Sequence, residues 1–301
     1  MVDNSNQLKN GWLKPGSKIS IVVPCYNEEE CLTALAREMK LALDPLDYDW
    51  EVLLINDCST DSTWTMMKVI NHWDSRFKGI HLAYNSGQTA GTLAGIRNSN
   101  GDAVITMDAD LQHHPRDIPK VLELLNEGNA VVSSWRYDRA DEPAGKRIPS
   151  RISNSLARLM TGVPAHDFGS GFKGYYAPRL RDLILYGSFH RYIPALILQP
   201  QDTLGEVRID YRDRIGGKTK YGATRILKGV RDLIYITMIT RLKGNILANL
   251  YANFMVYLHY DQGRDTYSIA SKIGIDLNLR PQNLNFETYF KLTKEYENLR
   301  S

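Results

Sequence analysis

Asp108 and Asp110, in the stretch TMDADLQHHP at 106–115, are two carboxylates one residue apart. They stand where the apolar run 103–107 gives out into a polar turn closed by Pro115. At a strand end residues i and i+2 lie on the same side, so both can address one object. Like charges held that close repel each other, and a hard divalent cation with oxygen ligands removes the repulsion. With Mg²⁺ or Mn²⁺ the natural co-ligand is a diphosphate, which points to a nucleotide. The same two residues also suit a solvated turn or a helix cap, where Asp is favoured. The rest of the chain has to decide between these readings.

A rigid frame for such a pair is legible on either side of it. Residues 19–23 (ISIVV), 51–55, 79–84, 103–107 and 130–134 are short apolar runs expected of buried strands. Between them, 28–43, 63–73, 87–97 and 117–126 read as helices, the first through Leu32, Leu35, Met39 and Leu43. This alternation predicts an α/β fold: a Rossmann-like, doubly wound, mostly parallel sheet with helices on both faces. Ligands of such sheets bind beyond the carboxyl ends of the strands. Four polar turns fall there, at 24–28, 56–61, 84–88 and 108–114. Beyond Ser134 the pattern loosens. A helix is expected over 149–161, strands over 170–176 and 206–212, and short apolar segments at 180–185 and 192–198. Residues 224–242 read as an amphipathic helix with Ile226, Val230, Leu233, Ile234 and Met238 on one face.

Composition excludes more than it assigns. A chain of 301 residues, 43% hydrophobic and 24% charged, is that of an ordinary folded protein. Its +3 charge is uneven: residues 212–243 hold nine Lys/Arg against two acids, a block of +7 that suggests an anionic partner. Cys25, Cys31 and Cys58 have no metal-ligand spacing and read as reduced thiols, as in the cytoplasm. No signal peptide and no membrane-spanning run is expected. Gly169–Gly174 satisfies GxGxxG, but too late in the chain for a dinucleotide fingerprint, and Gly216-Gly-Lys-Thr219 lacks the first glycine of a phosphate loop. The histidines have no zinc arrangement.

Taken in order, VVPCYNEEE, LINDCSTDST, NSGQTAGTLAGIRNSNGD and TMDADLQHHP resemble the family 2 glycosyltransferases of the GT-A fold. The likeness spans about residues 17–230 and is strongest to the dolichol-phosphate mannose synthase and polyprenyl-phosphate glycosyltransferase branch. It implies an inverting, metal-dependent transfer from a UDP- or GDP-sugar donor. By the same resemblance Pro24, Tyr26 and Glu28 line the base and ribose pocket, and Asp57 contacts the nucleobase, with Asn56 standing where the family commonly has another Asp. Asp108 and Asp110 hold Mg²⁺ or Mn²⁺ and the diphosphate, with Gln112 as a further ligand. Arg136, in SSWRYDR, contacts phosphates, as guanidinium geometry suits, with its neighbour Arg139 as a second candidate. Asp167, in DFGSGFKG, orients or deprotonates the acceptor. Arg212, Arg214, Lys218, Lys220 and Tyr221 form a basic loop over the donor and acceptor phosphates.

The acceptor stays open between two classes. A polyprenyl phosphate is ionised near neutral pH and needs no strong base, so Asp167 would only position it. A hydroxyl of a glycan, a protein or a modified nucleic-acid base would need Asp167 as the base. The basic helix at 224–243 suits the face of a membrane, and equally a phosphate-rich polymer. The expected division is an arm over 1–16, a catalytic domain over 17–223, amphipathic and interfacial helices over 224–260, and a tail over 261–301. Peripheral attachment to the cytoplasmic face of a membrane and assembly into an oligomer both suit this plan.

Overall fold

The computed structural model describes residues 8, 11–137, 144–210, 212 and 223–241. It falls into two compact units, 1–225 and 226–301. The first is built on a seven-stranded sheet. Its strands are β1 Lys18–Cys25, β2 Asp49–Asn56, β3 Phe77–His81, β4 Ala103–Thr106, β5 Val131–Arg136, β6 Lys173–Tyr176 and β7 Leu204–Ile209, in the order β3-β2-β1-β4-β6-β5-β7. The helices are α1 Glu29–Leu43, α2 Thr63–Trp73, α3 Gln88–Asn98, α4 Ile118–Asn126, α5 Ala144–Thr161, the short α6 Ile193–Ile197, and α7 Ala223–Arg241.

The alternation of β1 explains why helices cover both faces. Ile19, Ile21 and Val23 share one core with Leu32, Leu35 and Met39 of α1, Met67 of α2, and Val121, Leu122 and Leu125 of α4. The alternate residues Val22 and Pro24 meet α3 instead. There Gly91 and Gly95 bring the helix so close that a Cβ would lie 3.2 Å from the Pro24 Cβ and 2.2 Å from the Val22 Cγ1. Gly95→Ala should therefore lower stability by about 1–3 kcal/mol through overpacking, read as a lower urea midpoint at unchanged slope.

The sheet is mostly parallel, as expected, with one antiparallel member: β6 runs against both neighbours and separates β4 from β5. It also begins at Lys173 rather than 170, because the glycine segment before it bends beneath Asp108. β3, β7 and α5 each begin earlier than their apolar runs suggest. Finally, the supposed N-terminal arm is docked from residue 11 onward. Gly11 N donates to the Asn126 carbonyl, Trp12 Nε1 donates to the Leu125 carbonyl, and Leu13 is buried.

In the second unit the expected apolar face of α7 splits. Leu233, Ile236 and Ile239 are buried, while Ile234 and Met238, one turn apart, are exposed. Ile226 and Val230 lie outside the side chains described, as do residues 242–301 altogether.

At the opposite edge from the turns, Glu51 ties β1, β2 and β3 together. Its buried carboxylate accepts from Ser20 Oγ (2.7 Å), the Asn100 amide (3.0 Å) and Lys78 Nζ (2.8 Å), with Lys18 Nζ at 3.2 Å. Burial alone would raise this acid, but the hydrogen bonds led by Lys78 and Ser20 outweigh it and hold the pKa at about 2. A carboxylate depressed by folding stabilises above its ordinary value of 4.5, and that contribution is lost as pH falls toward 2. Glu51→Gln should thus cost about 2 kcal/mol near neutral pH. The gap from wild type should narrow in urea melts between pH 4.5 and pH 3.

Candidate active site

The parallel strands β1 to β4 deliver their turns to one edge, and the reversal of β6 brings the segment 167–172 to the same place. Backbone strain gathers there. Among the described residues, the non-glycine positions with left-handed backbone are Asn27 (φ 57°), Cys58 (φ 55°) and Leu111 (φ 59°), one in each of three edge turns. Residues held in that conformation are sparse and concentrate at functional sites.

The first two turns lock onto each other. Asn27 N donates to Ser59 Oγ, Thr60 N to Asn27 Oδ1, Glu28 N to Thr63 Oγ1, and Ser62 N to Glu29 Oε2. Tyr26 stands out of this clamp at 45% exposure, with Pro24 and Glu28 half-buried beside it. The geometry of Asp57 departs from what the resemblance implies. It is 3% exposed, and its two oxygens accept the backbone N–H groups of Ser86 (2.7 Å) and Gly87 (2.8 Å). Asp57 thus fastens the third turn and the start of α3 to the end of β2.

Asp108 is the centre of the site, with its side chain 30% exposed. Gln88, the first residue of α3, donates Nε2 to Asp108 Oδ1 at 2.7 Å. Beneath lies Gly171, where a Cβ would fall 2.4 Å from Asp108 Oδ2. Thr106 Oγ1 binds the Gly171 carbonyl at 2.8 Å and fixes that approach. His113 Nε2 is 3.7 Å from Asp108 Oδ2; burial pushes its imidazole down to about 4, so it is neutral at physiological pH. Asp110 sits two residues on and accepts from Gln112 N at 3.2 Å through the left-handed turn at Leu111. The Gln112 side chain donates to the Arg212 carbonyl.

The donor set fits a hard cation. Asp108, Asp110 and Gln112 offer oxygens, and among the described residues no cluster of three or more His, Cys, Asp or Glu could hold a metal ion. Mg²⁺ and its like take one or two carboxylates and complete their shell with phosphate oxygens and water.

Asp167 and Arg136 form a buried bidentate pair, with Nε–Oδ2 2.6 Å and Nη2–Oδ1 3.0 Å. Gly169 N also donates to Asp167 Oδ1. The carboxylate thus fixes the orientation of the Arg136 guanidinium. Lys173 lies fully buried behind them and donates to the Phe168 and Ser170 carbonyls. Burial pushes its ammonium down to about 8, against the pull of Asp167 and Asp108. Arg212 turns away from the turns' mouth. Its guanidinium clasps Glu38 of α1 (2.8 and 3.1 Å) and its Nε meets His114 Nε2 at 3.0 Å. Its backbone amide donates to the Gln112 carbonyl at 3.0 Å. Lys218 and Lys220, like Arg139, Arg214 and Tyr221, lie outside the described residues.

Four contributors escaped the sequence reading: Gln88, Gly171, His113 and Lys173. Each sat inside a quoted motif, yet none has a residue type that signals chemistry until the strands are ordered. A fifth feature is the corner 187–192, which falls between the two apolar segments expected at 180–185 and 192–198. Thr89, next to Gln88, meets the Gly187 carbonyl and His190 Nδ1 (2.6 Å), so this corner docks on the first turn of α3.

A sheet of this order with paired carboxylates on its carboxyl edge suits a ligand-binding α/β enzyme, and comparison with known proteins supplies the class. The family model "Glycosyl transferase family 2" matches residues 20–183. Dodecaprenyl-phosphate galacturonate synthase of Rhizobium johnstonii is 33% identical over 268 residues, 85% of this chain and 79% of that protein. Undecaprenyl-phosphate 4-deoxy-4-formamido-L-arabinose transferase of Pseudomonas syringae is 34% identical over 226 residues, 75% of this chain and 67% of that one. Among solved structures, glucosyl-3-phosphoglycerate synthase of Mycobacterium tuberculosis with Mn²⁺, UDP and glucosyl-3-phosphoglycerate superposes with a TM-score of 0.56 at 18% identity. That match covers 77% of this chain and 87% of the other, a likeness of fold. The chain belongs to glycosyl transferase family 2 and is a glycosyltransferase.

Proposed function

We propose that this enzyme moves a sugar from a UDP- or GDP-sugar to a polyprenyl phosphate, with inversion at the anomeric carbon. The observation that carries the reading is the half-buried pair Asp108 and Asp110 on the carboxyl edge, with Gln88 bound to Asp108 and Gly171 packed beneath it. Both relatives compared above are named for polyprenyl-phosphate acceptors. Asp108, Asp110 and Gln112 would hold a divalent cation, which would supply charge neutralisation for the departing nucleoside diphosphate.

The chain's own residues do the rest by positioning. Tyr26, Pro24 and Glu28 receive the base and ribose. Asp57 shapes that pocket from behind by fixing the Ser86–Gly87 backbone. Arg136, aimed by Asp167, binds a phosphate, and Lys218 and Lys220 supply further phosphate contacts. The acceptor oxygen attacks from the face opposite the leaving group, and as an ionised phosphate it needs no proton removed. The pairing of Asp167 supports this acceptor over a hydroxyl. This carboxylate is buried and held by the Arg136 guanidinium and the Gly169 amide, an arrangement suited to positioning a charged group.

A lipid acceptor calls for contact with a membrane, and no described helix is long and apolar enough to cross one. α5 offers a surface instead. Ile152 (63% exposed), Leu156 (37%) and Leu159 (76%) recur at i, i+4 and i+7, a single apolar stripe flanked by Arg151 and Arg158. Such a helix lies in the interfacial plane, with basic side chains toward anionic headgroups. Replacing all three with Ser should reduce flotation with anionic vesicles at least tenfold, while transfer to a short, water-soluble prenyl phosphate persists. Equal flotation of the variant would remove α5 from the account. The function itself is tested by offering UDP- and GDP-sugars with Mn²⁺ against polyprenyl phosphate, an oligosaccharide and duplex DNA. Label in the lipid alone is expected; label in DNA or glycan alone would sink the proposal.

A further inference from the structure

The geometry points to Tyr84 as the second wall of the nucleobase pocket, opposite Tyr26 across the end of β2. This rests on the donor reading above and adds a residue that fixes how the base is gripped. The register Cys25↔Asn56↔His81 sets the ends of β1, β2 and β3 in one row. Neighbouring strands are about 4.8 Å apart, so the turns leaving β1 and β3 are separated by roughly 9.6 Å. That interval admits one planar ring between two others. Tyr26 leaves β1 and Tyr84 follows β3, and both are exposed, Tyr84 at 68%.

The floor between them is built by β2, and its polar groups are committed elsewhere. The Asn56 amide is fully buried against His81 Nδ1 (2.6 Å) and Ser59 N (3.2 Å). Asp57 gives both oxygens to Ser86 and Gly87. What remains uncovered is Cys58, half-buried in its left-handed turn, with Sγ 3.8 Å from the Ala83 carbonyl. A base entering here meets a thiol below and aromatic rings on either side, so its faces are held more strongly than its edge. Tyr84 also stands on a fixed turn. Its carbonyl accepts from Ser86 Oγ at 3.1 Å, and Asp57 pins the amides of Ser86 and Gly87, two and three positions on. Little ordering is left for the nucleotide to impose.

Stacking on an aromatic ring is worth a factor of about ten to a hundred in affinity when the ring is truncated to Ala. The test titrates the full chain with UDP, GDP and inorganic pyrophosphate in Mn²⁺, using wild type, Tyr84→Ala and Tyr84→Phe. Expected is a loss of at least tenfold in nucleotide affinity for Tyr84→Ala and less than twofold for Tyr84→Phe, with pyrophosphate affinity equal in all three. Unchanged nucleotide affinity in Tyr84→Ala, or a parallel loss of pyrophosphate, overturns the inference while leaving the donor reading intact. A wild type that binds pyrophosphate and neither nucleotide overturns the donor reading, and the inference falls with it.

Discussion

Asp108→Asn should lower kcat/KM for sugar transfer by roughly 10²–10³-fold while leaving the thermal midpoint within a degree or two of wild type. The carboxylate is partly open to solvent and contributes no apolar packing, so little of the fold depends on its charge. What depends on it is the charge balance of the edge. An amide of the same shape keeps the contact with Gln88 and cannot neutralise a cation. The loss should therefore show as a raised Mn²⁺ requirement, measured from initial rates against metal concentration. Wild-type rates at wild-type Mn²⁺ would remove Asp108 from the site.

Gly171→Ala should do similar damage without touching a charged group. The added Cβ would arrive 2.4–2.6 Å from the Asp108 carboxyl. That carboxyl is the far end of a short, rotatable side chain, so it can swing aside and the fold survives. A displacement near 1 Å at a reacting centre lowers rates by about 10²-fold. The expected signature is an active-site defect with little loss of stability, the reverse of Gly95→Ala, where the obstacle is the packed Val22. Titration of Mn²⁺ and UDP on the purified variant, beside its melting curve, separates the two effects. A folded Gly171→Ala enzyme of wild-type rate would mean that Asp108 tolerates movement and that the clamp is looser than described.

Much of this frame was readable before any coordinates. The apolar runs of β1, β2 and β4 and the four polar turns follow from alternation and from Pro, Gly and Asn placement, and the ordered motifs fixed the family. What could not be read was which groups already had partners. Asp57, Asp167 and Arg212 all have the right types and positions for ligand contact. Yet their partners are backbone amides, an arginine 31 residues away and a glutamate 174 residues away. Such pairings depend on strand order, and the antiparallel insertion of β6 between β4 and β5 is invisible to local periodicity. Gln88 and Gly171 were hidden for the same reason: each becomes significant only when its turn is brought against Asp108. The apolar stripe of α5 is equally hidden from sequence, because apolar residues at helical spacing signal a buried face until Ile152, Leu156 and Leu159 are found uncovered.

The most direct test of the central claim is the anomeric configuration of the product. Purified enzyme, Mn²⁺, the accepted nucleotide sugar and undecaprenyl phosphate in vesicles should yield a sugar phosphodiester, resolved by proton and phosphorus NMR coupling constants. The account predicts the anomer opposite to that of the donor, formed in a single displacement. A lipid product that retains the donor's configuration, or a sugar found only on a hydroxyl acceptor, would contradict it.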